Sequence, residues 1–208
     1  MDPRPRVEAA LETALMLAAA PDGPPLLHAA MRHAVFPGGA RVRPRLCLAV
    51  ARACGGGDRA LEDAAASAIE LLHCASLVHD DLPCFDDADL RRGRPAVHRA
   101  YGEPLAVLAG DALIVLAFQV LAARGSHAPV AFAALVGILA GAVGAPHGIA
   151  AGQAWEAEPE VALMHYERAK TGALFAAATA AGAVSAGADA APWRRVGERI
   201  GEAFQIAD

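Results

Sequence analysis

Aromatic side chains are scarce in this chain: Phe, Trp and Tyr make up 5% of its 208 residues, although 55% are hydrophobic. A core with so few rings must be filled mainly by alanine and leucine, and alanine is the strongest helix former. Alternating runs of β-branched residues and hairpin turn signals are missing as well, which excludes an all-β protein and leaves an all-α reading. An excess of positive charge is missing: the net charge of −5 gives no footing for nucleic-acid binding. The four cysteines, Cys47, Cys54, Cys74 and Cys84, lack metal-ligand spacing. Three read as small core residues of a protein in a reducing, cytoplasmic compartment, while Cys84, within an acidic stretch, reads as part of the wall of a site. Met1 to Pro5 lead into a charged helix without the apolar core of a secretory peptide. Lysine is nearly absent too, with Lys170 standing alone against seventeen arginines.

Charge of either sign disappears between Gly125 and Trp155. Such a stretch, with Gly137 and Gly141 in a GxxxG spacing, invites a membrane reading. Pro129 and Pro146 limit its helical part to about 17 residues, ~25 Å, short of the ~30 Å hydrocarbon core. The reading is therefore a buried central helix with no transmembrane span.

What the chain does have is a dense acidic stretch, HCASLVHDDLPCFDDADLRRGRP, from His73 to Pro95. Asp80, Asp81, Asp86, Asp87 and Asp89 crowd together, and Arg91, Arg92 and Arg94 follow at once. The stretch emerges from an apolar helical run, where carboxylates are costly unless neutralised. Magnesium is a natural neutraliser, because it takes carboxylate oxygens and keeps water or phosphate on its other positions. Arginines suit a polyanion, since a guanidinium binds phosphate through paired hydrogen bonds. Acids beside arginines thus fit a magnesium-diphosphate substrate, against the plainer alternative of a solvated acidic turn followed by a basic one. His73, Asp80 and Asp87 recur at intervals of seven and would share a helical face, but Pro83 must bend the chain near Asp80. Either Asp86 or Asp87 then comes within reach of a metal shared with Asp80.

The remaining chain reads as a succession of helices. Residues 4–20 form the first, with Val7, Leu11, Leu15 and Ala18 inward, and 26–35 the second. Gly38 and Gly39 mark a turn where backbone N–H groups can approach a ligand, with Arg41, Arg43 and Arg45 just after. Residues 45–54 form a helix that Gly55 to Gly57 end, and Asp58 caps the long helix leading to the acids. Helices follow over 103–124, where Asp111 stands alone among apolar residues, and over 129–145. Lys170 and Thr171 lie in YERAKTGALF. The last helix runs from Pro192 to Asp208, with Gln205 and Asp208 on one face.

DDLPCFDDADLRRGRPAVH resembles the first aspartate-rich motif, DDxxxxD followed by RRG, of the trans-isoprenyl diphosphate synthases. Further similarities follow in the same order: FPGGARVRPRL to GGKRxRP, although position 40 is Ala40 where the family has lysine; GIAAGQAWEAE to GGQxxDL, with Gln153 matching and Glu156 near the acid; Lys170-Thr171 to the KT pair; and FQIAD to the start of FQxxDDxxD. The resemblance covers nearly all of these residues, but only about the first two-thirds to three-quarters of a usual member, so 1–208 reads as one domain incomplete at its C-terminus.

The resemblance implies a bundle of antiparallel helices around a deep apolar cavity, Mg²⁺ as cofactor and a homodimer. It implies head-to-tail condensation of isopentenyl diphosphate with dimethylallyl, geranyl or farnesyl diphosphate. By it, Asp80, Asp81, Asp86 and Asp208 hold the metal, with Asp80, Asp86, Arg91 and Lys170 catalytic. Thr171 and Gln205 touch the allylic group, while Arg41, Arg43, His73 and Arg92 take isopentenyl diphosphate. Small residues at Ala75 and Ser76, one turn before Asp80, leave depth for a C20 product, geranylgeranyl diphosphate, as in synthases feeding bacterial carotenoid pathways. Farnesyl diphosphate is the alternative product. A non-catalytic homologue or subunit that binds a partner is the alternative of another class.

Overall fold

The computed structural model describes residues 2–36, 38–161 and 163–207. Eleven α-helices dominate the described residues: α1 (Arg4–Leu17), α2 (Pro25–Val35), α3 (Val42–Ala53), α4 (Arg59–Asp80), α5 (Val97–Tyr101), α6 (Glu103–Gly125), α7 (Pro129–Val143), α8 (Ile149–Ala154), α9 (Leu163–Glu167), α10 (Ala173–Ser185) and α11 (Ala190–Ala207). A 3-10 turn, Trp155–Ala157, follows α8, and a π-turn, Arg168–Gly172, joins α9 to α10.

The local signals act as expected in most places. Asp58 caps α4, its carboxylate accepting from the Ala60 and Leu61 N–H groups, which are donors the first turn leaves unpaired. Gly55 and Gly56 take positive φ values after α3. In α1, Val7, Leu11, Ala14 and Leu15 are buried, whereas Ala18 lies beyond the helix and is exposed, because the chain leaves the bundle for the Pro21–Pro25 turn.

The RRG segment departs from expectation. Leu90–Arg91 and Arg94–Pro95, β1 and β2, form a two-rung antiparallel ribbon. Arg92 and Gly93 both have positive φ at its tip, the conformation of a tight hairpin turn. The arginines therefore project from a small hairpin whose turn signal, Arg-Gly, is weak in sequence.

Two helices organise the bundle. α4 packs along α6 and against α3, α10 and α1, and α10 is enclosed by α11, α3, α7 and α4. The enclosure of α10 depends on missing side chains. A Cβ at Gly182 would fall 2.3 Å from the Cys47 carbonyl oxygen, and one at Gly197 would fall 2.5 Å from that of Phe175. α6 is the one described helix long and apolar enough to cross a membrane by length and composition. Its Ala106, Ala109, Leu113, Leu116 and Leu121 are fully buried in the bundle.

Candidate active site

α4 delivers the acids. It ends at Asp80, and the turn through Pro83 brings the Asp86 N–H back to the Asp80 carbonyl at 3.0 Å. Asp86 is exposed and close enough to Asp80 for their charges to repel. Asp87 is drawn away: its carboxylate accepts from Arg99 at 3.0 Å and lies 3.8 Å from Nε2 of the buried His98. Of the two acids left open by spacing, Asp86 is the one beside Asp80 with no cation partner among the described residues.

Asp80 Oδ1 is buried without a hydrogen-bond partner. Lys170 Nζ stands 3.4 Å from it, an ion-pair distance longer than a good hydrogen bond. Burial raises the Asp80 carboxyl above its usual range; Lys170 opposes that shift and Asp86 adds to it. Lys170 lies in the π-turn and donates to Glu156 at 2.5 Å. Burial disfavours its charge, but the bond to Glu156 and the charge on Asp80 outweigh that and raise its pKa. Thr171 follows it, half-buried.

A second cluster lies two turns earlier on α4, about 10 Å along the axis. Arg43, in the first turn of α3, has its Nη1 3.4 Å from His73 Nε2 and stacks 4.6 Å over the Phe175 ring. Its Nε is buried and unpaired. Burial, then the charges of Arg43 and Arg92, hold the His73 imidazole well below its ordinary pKa, so it is neutral. A Cβ on Gly39 would fall 2.9 Å from Arg92, so the second glycine of the Gly-Gly pair admits this arginine. Three basic side chains, Arg43, His73 and Arg92, thus gather with no ion-pair partner among the described residues.

The sequence model of the polyprenyl synthetase family matches residues 24–208, through both clusters. The chain belongs to that family. Geranylgeranyl diphosphate synthases of Cereibacter sphaeroides and Rhodobacter capsulatus are 58% and 57% identical to it over 203 residues, 98% of this chain and 70% of theirs. Among solved structures, an apo FPP/GFPP synthase from Zymomonas mobilis matches with a TM-score of 0.87 at 36% identity, covering 99% of this chain and 79% of that one. A geranyltransferase from Legionella pneumophila matches with a TM-score of 0.87 at 34% identity, covering 99% and 75%. The helical isoprenoid-synthase fold expected from the motifs is therefore the fold of this chain.

Several residues expected at a polyprenyl synthetase site are placed elsewhere. Arg41 is not available to a substrate. Its side chain is 0% exposed and donates to Glu8 at 2.9 and 3.1 Å, to Glu70 at 2.7 Å and to the Val35 carbonyl at 2.8 Å. A Cβ on Gly38 would fall 2.0 Å from its Cζ, so this glycine makes room for an arginine side chain and not for a ligand. Asp81 is not free for a metal: it is buried and gripped by Arg91 through Nε, at 2.9 and 3.1 Å, and through Nη2. That pair also neutralises Arg91, which stiffens the hairpin. Ala75 is packed in the core, and the Ser76 hydroxyl is turned onto the His73 carbonyl.

A cleft of about 900 Å³ runs between α7, α10 and α11, and neither Ala75 nor Ser76 lines it. Gly141, Ala142, Ala176 and Ala177 form its apolar side, and Gln205 stands at its polar side. Asp208 lies outside the described residues.

Among the described residues no group of three metal-binding side chains converges. Asp80 and Asp86 nonetheless fit magnesium, since both are oxygen donors and one oxygen is buried without a hydrogen bond. Such an ion commonly takes one or two carboxylates and fills the rest of its shell with water and substrate phosphate. Sequence gave no role to Glu156. It accepts from Gln153 at 2.8 Å, Tyr166 at 2.7 Å and Lys170. Its one legible signal was its place near the acid of the GGQxxDL-like segment.

Proposed function

We propose that this polyprenyl synthetase condenses isopentenyl diphosphate with an allylic diphosphate and that its product is geranylgeranyl diphosphate. One observation carries the reading: a carboxylate pair with an adjacent ammonium and a separate basic cluster without an ion-pair partner among the described residues are anchored two turns apart along α4, by Asp80 and by His73. Two anion sites at that spacing suit two diphosphates. The similarity to the two bacterial geranylgeranyl diphosphate synthases supports the C20 product.

Asp80 and Asp86 would hold Mg²⁺, and Lys170 would bind the allylic diphosphate beside them. The metal, when bound, supplies Lewis-acid charge to the departing diphosphate. Arg43, Arg92 and neutral His73 would seat isopentenyl diphosphate. Held side by side, the two substrates need no further encounter: the double bond of one attacks the allylic carbon of the other, and the released diphosphate takes the proton. Gln205 would face the allylic group from α11, and Thr171 would reach it from the π-turn. Exposed Leu108 and Val115 on α6 support a homodimer. A cytoplasmic location and service to a carotenoid pathway belong to the same reading.

Incubation with isopentenyl diphosphate and each of the C5, C10 and C15 allylic diphosphates, with Mg²⁺ or EDTA, tests it. The expected outcome is a C20 product that EDTA abolishes. A C15 limit would leave the reaction and overturn the chain length. A folded chain that yields no product would favour a non-catalytic partner-binding role.

A further inference from the structure

Glu156 has three hydrogen-bond partners drawn from three separate elements and no part in the reaction as described. Gln153 donates from α8 at 2.8 Å to Oε2, Tyr166 from α9 at 2.7 Å to Oε1, and Lys170 from the π-turn at 2.5 Å to the same oxygen. The close approach of these segments is built in, because a Cβ on Gly152 would fall 2.5 Å from the Lys170 backbone nitrogen. Lys170 Nζ is therefore shared unequally: it is hydrogen-bonded to Glu156 and stands 3.4 Å from Asp80 Oδ1, the oxygen buried without a hydrogen bond.

We infer that Glu156 is a positioning residue for the metal-diphosphate site: it draws the Lys170 ammonium off Asp80 and so leaves Asp80 Oδ1 open to a divalent cation. This rests on the magnesium-diphosphate reading above. Without the Glu156 charge, Asp80 is the nearest anion to Lys170, and the ammonium closes onto it. A cation must then displace a full ion pair to bind. Burial works against the Glu156 charge, but hydrogen bonds from Lys170, Tyr166 and Gln153 outweigh it and lower its carboxyl pKa. It acts through Lys170 and touches no reacting atom.

The test is a titration of the full chain with MgCl₂ in the presence of inorganic pyrophosphate. It is read by calorimetry and by the fluorescence of Trp155, next to Glu156, in a W193F background that removes the other tryptophan. Glu156→Gln keeps the volume and an acceptor for Tyr166. It should raise the midpoint Mg²⁺ concentration about tenfold, the lower end of what removing a group that orients a metal ligand costs. Glu156→Asp, which keeps the charge one methylene further back, should recover part of that loss. In a Lys170→Met background E156Q should add nothing, since its effect passes through the lysine. An unchanged midpoint in folded E156Q, a full loss in folded E156D, or additivity with K170M overturns the inference. If E156Q fails to fold, the E156D comparison decides. A wild-type chain with no Mg²⁺-dependent pyrophosphate binding would remove the metal reading itself, and the role of Glu156 with it.

Discussion

The start of α3 faces two regions built on opposite principles. On one side Arg41 is sealed among Glu8, Glu70 and the Val35 carbonyl, with its charge matched and every direction of its guanidinium in use. On the other, Arg43 lies against His73 and near Arg92 with no ion-pair partner among the described residues, and burial lowers its pKa. The two arginines are two positions apart in one motif. What separates the two is the supply of acids within ion-pair distance. A matched arginine holds helices together, whereas an unmatched cluster stores repulsion that an anion relieves.

The contrast breaks most readily at Arg41. Arg41→Met leaves Glu70 buried without its partner, and removing one member of a buried ion pair costs about 3–5 kcal/mol. Urea unfolding should show that loss, while Arg43→Met should unfold within about 0.5 kcal/mol of wild type or above it. Equal losses in both would erase the distinction. Arg43→Met should instead raise the KM for isopentenyl diphosphate by about 10–100-fold, as a charged hydrogen bond contributes about 1.5–3 kcal/mol. The KM for the allylic substrate should move little, and a loss confined to the allylic side would exchange the two sites.

A smaller effect concerns pH. Burial and then the arginines hold His73 well below 6.5 in the folded chain. As pH falls below about 6.5 the unfolded chain takes up a proton that the folded chain refuses. Stability from this source is therefore full above that pH and declines beneath it. The Tm should drop between about pH 7.5 and about pH 5.5, and the drop should shrink in His73→Gln. Inorganic pyrophosphate should shrink it in the wild type too, by offsetting the arginine charge. A drop that ignores both changes would assign the acid sensitivity elsewhere.

Much of the architecture was legible because its signals are local. The Asp58 cap, the glycines after α3, the ends of α6 and α7 and the acid turn after α4 each depend on a few neighbouring residues. The fate of Arg41 was not legible, because Glu8 and Glu70 are 33 and 29 positions away and only the fold brings them in. Asp81 was misread for a related reason. DDxxxxD marks which acids are near one another but not that Arg91 folds back on a hairpin to claim the second. Glu156 was nearly silent because its three donors come from three segments. Ala75 and Ser76 were placed by counting back from Asp80, which cannot show that a residue is packed against a neighbouring helix.

The π-turn at Arg168–Gly172 sits inside an otherwise continuous helical run from Leu163 to Ser185. A π-turn accommodates one residue more than the α-helix around it, so the segment's length as well as its composition is part of the site. Deleting a single residue there would let the helix heal into a regular α-helix, with no loss of core side chains. The helices on either side would keep their phase, because the widened turn had absorbed the extra residue, and only the side chains within it would be re-aimed. Lys170 would survive such a deletion as a residue yet point away from Asp80, so an aligned sequence could retain every recognisable motif and still encode a misaddressed site.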